Sequence, residues 1–314
     1  MLGMHGTAYS NFAVNGSPLN NYTDGADFVL AIGSRFDDRI TGKVSEFAKM
    51  AYIVHVDIDK KENGKNKKPD FFVLSDAREF LTRLNQRIQE QGLGSDYSAW
   101  QNHIEGLKDM YPLHIKFSEN KIPTQYVIKR LYELTKNQNP VVATGVGQHQ
   151  MWAAQYFLVD KPRKFLTSAG LGSMGFGLPA AIGAQVANPN SLVIDLDGDR
   201  SFWMSGYELE TIARFNLPVK VVVFDNNGHG MVKQWQDEQY ESRYVASQYK
   251  NIDFSRYARL FGIKSNRVGN LEKVDAALRE MVSHNGPYLL HVNVEYAHCL
   301  PMIPAGKTIR DIKL

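Results

Sequence analysis

Six mainly apolar runs recur along the chain, at residues 27–33, 52–58, 140–144, 191–197, 219–224 and 288–294. Each is short and nearly continuous rather than alternating, as strands read when a sheet is covered on both faces. Between the runs the period changes. Ala77, Phe80, Leu81, Leu84 and Ile88 share one face of a helix that starts near Asp76. Ser205 and Glu208 have capping-box spacing and predict the start of a helix between the fourth and fifth runs. Pro123 suits the first turn of another helix, and the glycine-rich stretch 170–181 also reads as helical. Strands alternating with helices predict an α/β fold built on parallel sheets. The alternation falls in two regions, 1–90 and 122–314. A polar stretch, 91–121, joins them, with Trp100, Ile104, Leu107 and Met110 spaced as on a helix. The first region is expected to be only part of a domain.

The fourth and fifth runs carry the most informative pair of residues. The fourth runs into Gly198 and Asp199, and the fifth runs into Asp225, Asn226, Asn227 and Gly228, with Asn226 27 positions after Asp199. A strand–helix–strand unit with a short crossover sets its strands side by side, carboxyl ends on one edge. An Asp carboxylate and an Asn carboxamide then converge as hard oxygen ligands, beside glycines that let backbone N–H groups approach an anion. Mg²⁺ takes such oxygens together with phosphates. The third run leads into Gly145, Val146, Gly147, Gln148 and His149, and ligands of open parallel sheets bind beyond these strand ends.

Composition narrows the partners. The chain has 314 residues, 43% of them hydrophobic, and a net charge of +3. The basic run 60–68 has no interleaved aromatics, so it reads as a solvated loop and not as a nucleic-acid platform. Cys299 is the single cysteine, which excludes an intrachain disulfide and suits a reducing compartment. No His/Cys cluster has metal-ligand spacing. No signal pattern or membrane-length apolar segment is present, so a soluble intracellular chain with no membrane partner is expected.

The Asp199–Asn226 pattern resembles the thiamine-diphosphate motif. Residues 167–184, 230–236 and 301–306, together with 1–7 and 35–43, narrow the resemblance to the catalytic subunit of acetohydroxyacid synthase (acetolactate synthase). It spans essentially the whole chain in one order, and covers only the carboxyl-terminal part of that family's chain. It implies a partial Rossmann-like, FAD-binding central domain at 1–90, a linker, and a parallel-sheet thiamine-diphosphate domain at 122–314. It also implies carboligation of pyruvate with a second 2-ketoacid, pyruvate or 2-oxobutyrate, in branched-chain amino acid biosynthesis. The expected cofactors are thiamine diphosphate, Mg²⁺ and FAD. The expected location is cytoplasmic, or plastid if the source is a plant or alga.

The resemblance carries over residue by residue. Asp199, Asn226 and the Gly228 carbonyl are the expected Mg²⁺ ligands. Val146, Gly147, Gln148, His149, Gly198, Arg200, Ser201, His229, Gly230 and Met231 fall against the diphosphate. Gly172 offers a carbonyl to the aminopyrimidine, and Met174 is the wedge that bends the cofactor. Arg39 and Trp235 hold the second ketoacid; an Arg fork matches a carboxylate. His5, Gly6, Arg35, Asp57 and Asp76 line the flavin.

The family's amino-terminal domain carries the glutamate that protonates the aminopyrimidine, and that domain has no counterpart here. The chain is therefore expected to be a fragment or to need a partner polypeptide. A homodimer, or a second chain supplying the pyrimidine domain, is implied, and so is a docking regulatory subunit. Arg200 stands where the family has Gly or Ala, and Asp225 replaces an Asn; the two are expected to compensate each other. The stretch 15–22 is longer than the family's link. Two other readings stay open: a different thiamine-diphosphate-dependent decarboxylase or carboligase, and a non-catalytic remnant that binds cofactor or partner only.

Overall fold

The computed structural model describes residues 26–94, 121–159 and 161–300, with scattered positions among 96–119 and 306–311. The chain divides into two compact units. The described residues up to Leu113, with those from Leu300 on, form one; His114–Cys299 forms the other. Trp100, Ile104, Leu107 and Met110 lie outside the described residues.

In the first unit β1 (Phe28–Ile32), β2 (Tyr52–Asp57) and β3 (Phe71–Leu74) form a parallel sheet in the order β1-β2-β3. Ala31, Phe36, Phe47, Ala48 and Ile53 make its small core. The His55 ring sits edge-on between Phe36 and Phe72, 5.0 and 5.4 Å between centroids. The predicted helix is α1 (Ala77–Glu90), capped by Asp76 through the N–H groups of Arg78 and Glu79. None of its residues is buried, and Leu81 and Ile88 are exposed.

The second unit has a six-stranded, all-parallel sheet. Its strands are β4 (Val141–Thr144), β5 (Phe165–Thr167), β6 (Val193–Gly198), β7 (Lys220–Asp225), β8 (Lys264–Val268) and β9 (Tyr288–Asn293), in the order β5-β4-β6-β7-β9-β8. Side chains alternate between two cores, as the pleat demands. Val142, Ile194, Leu196, Val222, Phe224 and Leu290 face one. Val141, Ala143, Val193, Val221, Val223 and Leu289 face the other. The first core is closed by α2 (Thr124–Thr135), α3 (Gln148–Tyr156) and α9 (Val274–Ser283). The second is closed by α4 (Gly177–Ala187), α6 (Leu209–Arg214) and α8 (Phe254–Leu260). Apolar burial on both faces explains the continuous runs.

Three local expectations are corrected. Ser205 makes no capping hydrogen bond; its Oγ is buried without a partner, and a 3₁₀ turn, Gly206–Glu208, precedes α6. The stretch 170–176 is turn, because Gly172 and Gly175 take φ of 68° and 84°, and α4 begins only at Gly177. Pro123 stands one residue before α2, at its N-cap. The strands β3, β5 and β8 add to the six apolar runs.

Candidate functional site

From β4 the chain goes out to β5 and returns across β4 to β6. This reversal opens a crevice beyond the carboxyl ends of β4 and β6, where open α/β sheets bind ligands. Gly145, Val146 and Gly147 leave β4 for α3. A short helix, α5 (Asp199–Trp203), follows β6 directly. Residues 226–229 link β7 to α7 (Gly230–Gln239). The N-caps of α3 and α7, Gly147 and His229, make no side-chain capping bond. Their first-turn N–H groups therefore have no capping side-chain acceptor, and the dipole ends favour an anion.

Asp199 is 3% exposed, and its oxygens are unequally engaged. Oδ2 accepts the Gly228 N–H at 3.0 Å and the Asn251 amide at 2.5 Å. Oδ1 accepts only the Arg200 N–H, at 2.9 Å. Of roughly four acceptor sites on a carboxylate, the free one is on Oδ1. The Asn226 Oδ1 is buried with no hydrogen-bond partner, an arrangement that costs stability until a donor or cation arrives. Among the described residues no three His, Cys, Asp or Glu side chains gather as a metal site. One carboxylate, one free amide oxygen and the carbonyl of Gly228, whose N–H bonds Asp199, are instead the hard oxygens on offer. Mg²⁺ with phosphate and water fits that set, and a thiophilic ion does not. Burial and the neighbouring Asp225 carboxylate raise Asp199 to about 7. Burial pushes Asp225 the same way, but hydrogen bonds from His291 (2.9 Å), Asn251 (2.7 Å) and the Asn227 N–H (2.9 Å) hold it below the usual range.

On the β4 side, the Ser201 Oγ accepts N–H groups from Val146 (3.2 Å) and Gly175 (3.0 Å). It thereby ties the first loop to the turn that carries Gly172 and Met174. His149 is buried and pushed down to about 3 by that burial, so its ring is neutral at ordinary pH. Its Nε2 has no hydrogen-bond partner and lies 3.6 Å from Asp197. Gln148 presents an acceptor. Its amide donates to Gln234 (2.8 Å) and the Ala297 carbonyl (2.7 Å), leaving Oε1 free. Met174 and Trp235 are half-buried, the latter on α7 with Met231. A pocket of about 250 Å³ opens beside this loop, lined in part by Asn226, Gly228, Gly230, Lys233, Tyr249 and Tyr296.

In the first unit Asp57 is the last residue of β2, and Arg35 and Asp76 follow the ends of β1 and β3, so all three lie at the carboxyl ends of the parallel strands. Arg35 pairs with Asp37, and Asp76 caps α1. His5, Gly6 and the Arg39 side chain lie outside the described residues.

The sequence reading missed Asn251, His291 and Ser247. Asn251 links Asp199, Asp225 and Arg200, and the Ser247 carbonyl accepts the His229 N–H at 3.0 Å. No motif marks them; each reaches the crevice from a distant segment.

Topology and crevice together define the class of α/β folds that hold phosphorylated ligands at a switch point. Two family models then match: "Thiamine pyrophosphate enzyme, central domain" over residues 1–84, and "Thiamine pyrophosphate enzyme, C-terminal TPP binding domain" over residues 145–292. The chain belongs to the thiamine pyrophosphate enzymes. Within that family it is similar to acetolactate synthases of plants. It is 47% identical to acetolactate synthase 1, chloroplastic, of Oryza sativa subsp. japonica, over all of this chain and 49% of the relative. It is 46% identical to the Nicotiana tabacum enzyme of the same name and 45% to acetolactate synthase, chloroplastic, of Arabidopsis thaliana. Each of these alignments covers 99% of this chain and 47% of the relative. The chain thus spans about half the length of the curated relatives it matches.

Proposed function

We propose that this chain supplies the diphosphate and Mg²⁺ half of an acetolactate synthase-type site, joining pyruvate to pyruvate or 2-oxobutyrate. The observation that carries the reading is the free, buried Asn226 Oδ1 at the end of the strand whose following loop, at Gly228, bonds the half-engaged Asp199 carboxylate. Asp199, Asn226 and the Gly228 carbonyl hold the cation. The α3 and α7 N-termini face the diphosphate, with His149 in the first turn of α3, and Met174 supports the cofactor's bend. Thiamine diphosphate, when bound, supplies the carbanion chemistry; the protein supplies position and electrostatics. Trp235 walls the second ketoacid, and Arg39 matches its carboxylate. FAD lies against Arg35, Asp57 and Asp76 in a structural role.

The reading includes a homodimer, or a partner polypeptide that brings the pyrimidine domain. Leu171, Phe176, Trp203, Met204 and Tyr207 are exposed around the turn that carries Met174, an apolar surface suited to burial by that partner. A docking regulatory subunit and a plastid location, matching the relatives' names, belong to the same reading. The test is acetolactate formation from pyruvate with Mg²⁺, thiamine diphosphate and FAD. Product is expected only when the chain is mixed with an amino-terminal half from the family. Product from the chain alone would reject the need for a partner, and silence in the mixture would reject the synthase reading in favour of a cofactor-binding remnant.

A further inference from the structure

Asn251 lies outside every motif, yet three partners converge on it. Its Nδ2 donates one hydrogen to the Asp199 Oδ2 at 2.5 Å and the other to the Asp225 Oδ1 at 2.7 Å. Its Oδ1 accepts from the Arg200 guanidinium, which also lies over the Tyr249 ring, 4.0 Å from its centroid. The side-chain amide is used at both ends, and only an amide of this length offers two donors and an acceptor at once.

We propose that Asn251 is a positioning residue of the metal site. It fixes the Asp199 carboxylate through Oδ2, leaving Oδ1 for the cation, and it bridges Asp199 to the neighbouring Asp225 carboxylate. The inference rests on the Mg²⁺–diphosphate reading and extends it to a residue that touches neither group. Two carboxylates this near repel, and the Asn251 amide donates to both. Asn251 takes one oxygen of each and leaves the Asp199 Oδ1 as the available ligand atom. It also explains how a chain with Arg200 and Asp225 keeps its site. The cation and the anion do not meet directly among the described contacts, but both meet Asn251, and His291 takes the far oxygen of Asp225 at 2.9 Å. The compensation expected between Arg200 and Asp225 thus runs through a third residue.

The test is calorimetric titration of thiamine diphosphate into the intact chain across a series of Mg²⁺ concentrations, giving the half-saturating Mg²⁺. Partners that orient metal ligands are worth ~10–100-fold in metal affinity. Asn251→Ala is expected to raise half-saturating Mg²⁺ by that factor. Adding Asp225→Asn to Asn251→Ala removes the opposing charge and restores an amide beside Asp199, so most of the loss is regained. A loop defect would not be repaired by a change at Asp225, so the double variant separates positioning from folding. Thermal unfolding without metal identifies a misfolded single variant, and Asn251→Ser, which keeps one donor, then takes its place with an intermediate loss. Unchanged Mg²⁺ dependence in Asn251→Ala, or no recovery in the double variant, would overturn the inference. Absence of Mg²⁺-dependent binding by the unaltered chain would overturn the site reading beneath it, and with it the inference.

Discussion

Asp199→Asn is expected to weaken Mg²⁺-dependent binding of thiamine diphosphate by more than ~100-fold, beyond the cost of losing a residue that only orients a ligand. The substitution keeps the shape of the side chain and removes its charge. The charge is what the site needs, because the other two oxygen donors, the Asn226 amide and the Gly228 carbonyl, are neutral. It is also costly to the ligand-free protein. Asp199 is buried beside Asp225, and both effects raise it to about 7. The variant's thermal midpoint without ligand is therefore expected to stay level or rise. Calorimetry and thermal unfolding on the same samples check both halves. Wild-type affinity in the variant would remove Asp199 from the metal site, and a collapsed midpoint would make it structural.

Gly228→Ala is the second large effect, and it acts through the backbone. A Cβ there would stand 2.2 Å from the Ser247 carbonyl oxygen. That oxygen accepts the His229 N–H at 3.0 Å, and Gly228 itself donates to Asp199. Main chain cannot step aside as a flexible side chain can, so the bridge between Gly228 and Gln248 must open. Forced overpacking costs about 1–3 kcal/mol, or roughly 2–12 °C in the midpoint of a unit the size of His114–Cys299. Mg²⁺ binding should fall with it, although the ligand lost is only a position and no atom has been removed. Gly183→Ala is the control. Gly183 lies within α4 with nothing within 4 Å of its added Cβ, and there alanine is expected to stabilise by about 0.5–1 kcal/mol. Opposite signs for one substitution at two glycines support the account. Equal, small shifts would show that the Gly228 loop yields and that its packing does not shape the site.

The parts of the fold that were legible in the sequence are those whose burial is two-sided. The strands β6 and β7 read clearly because their residues are buried on both faces, with Ile194, Leu196, Val222 and Phe224 in one core and Val193, Val221 and Val223 in the other. The strands β3, β5 and β8 went unread for physical reasons. They lie at sheet edges, β5 has only three residues, and β8 is the polar KSNRV. Ser205 shows the limit of local motifs: capping-box spacing is present, but a 3₁₀ turn takes the place of the first helical turn. The site divides in the same way. Asp199, Asn226 and Gly228 announce themselves because each ends or follows a strand of one crossover unit. Asn251 reaches the same carboxylate from 52 positions away, and no periodicity or spacing encodes that approach. The resemblance pointed to Gln148 as a diphosphate contact, but both amide hydrogens are already donated, which leaves a buried Oε1 acceptor and no side-chain donor for a diphosphate oxygen.

The central claim is that this sheet edge clamps a diphosphate through a divalent cation. Titration of thiamine diphosphate into the unaltered chain, once with Mg²⁺ and once with a chelator in its place, tests it most directly. The account predicts saturable binding to one site per chain with Mg²⁺ and its loss with the chelator. Binding of equal strength under both conditions, or none under either, would contradict it.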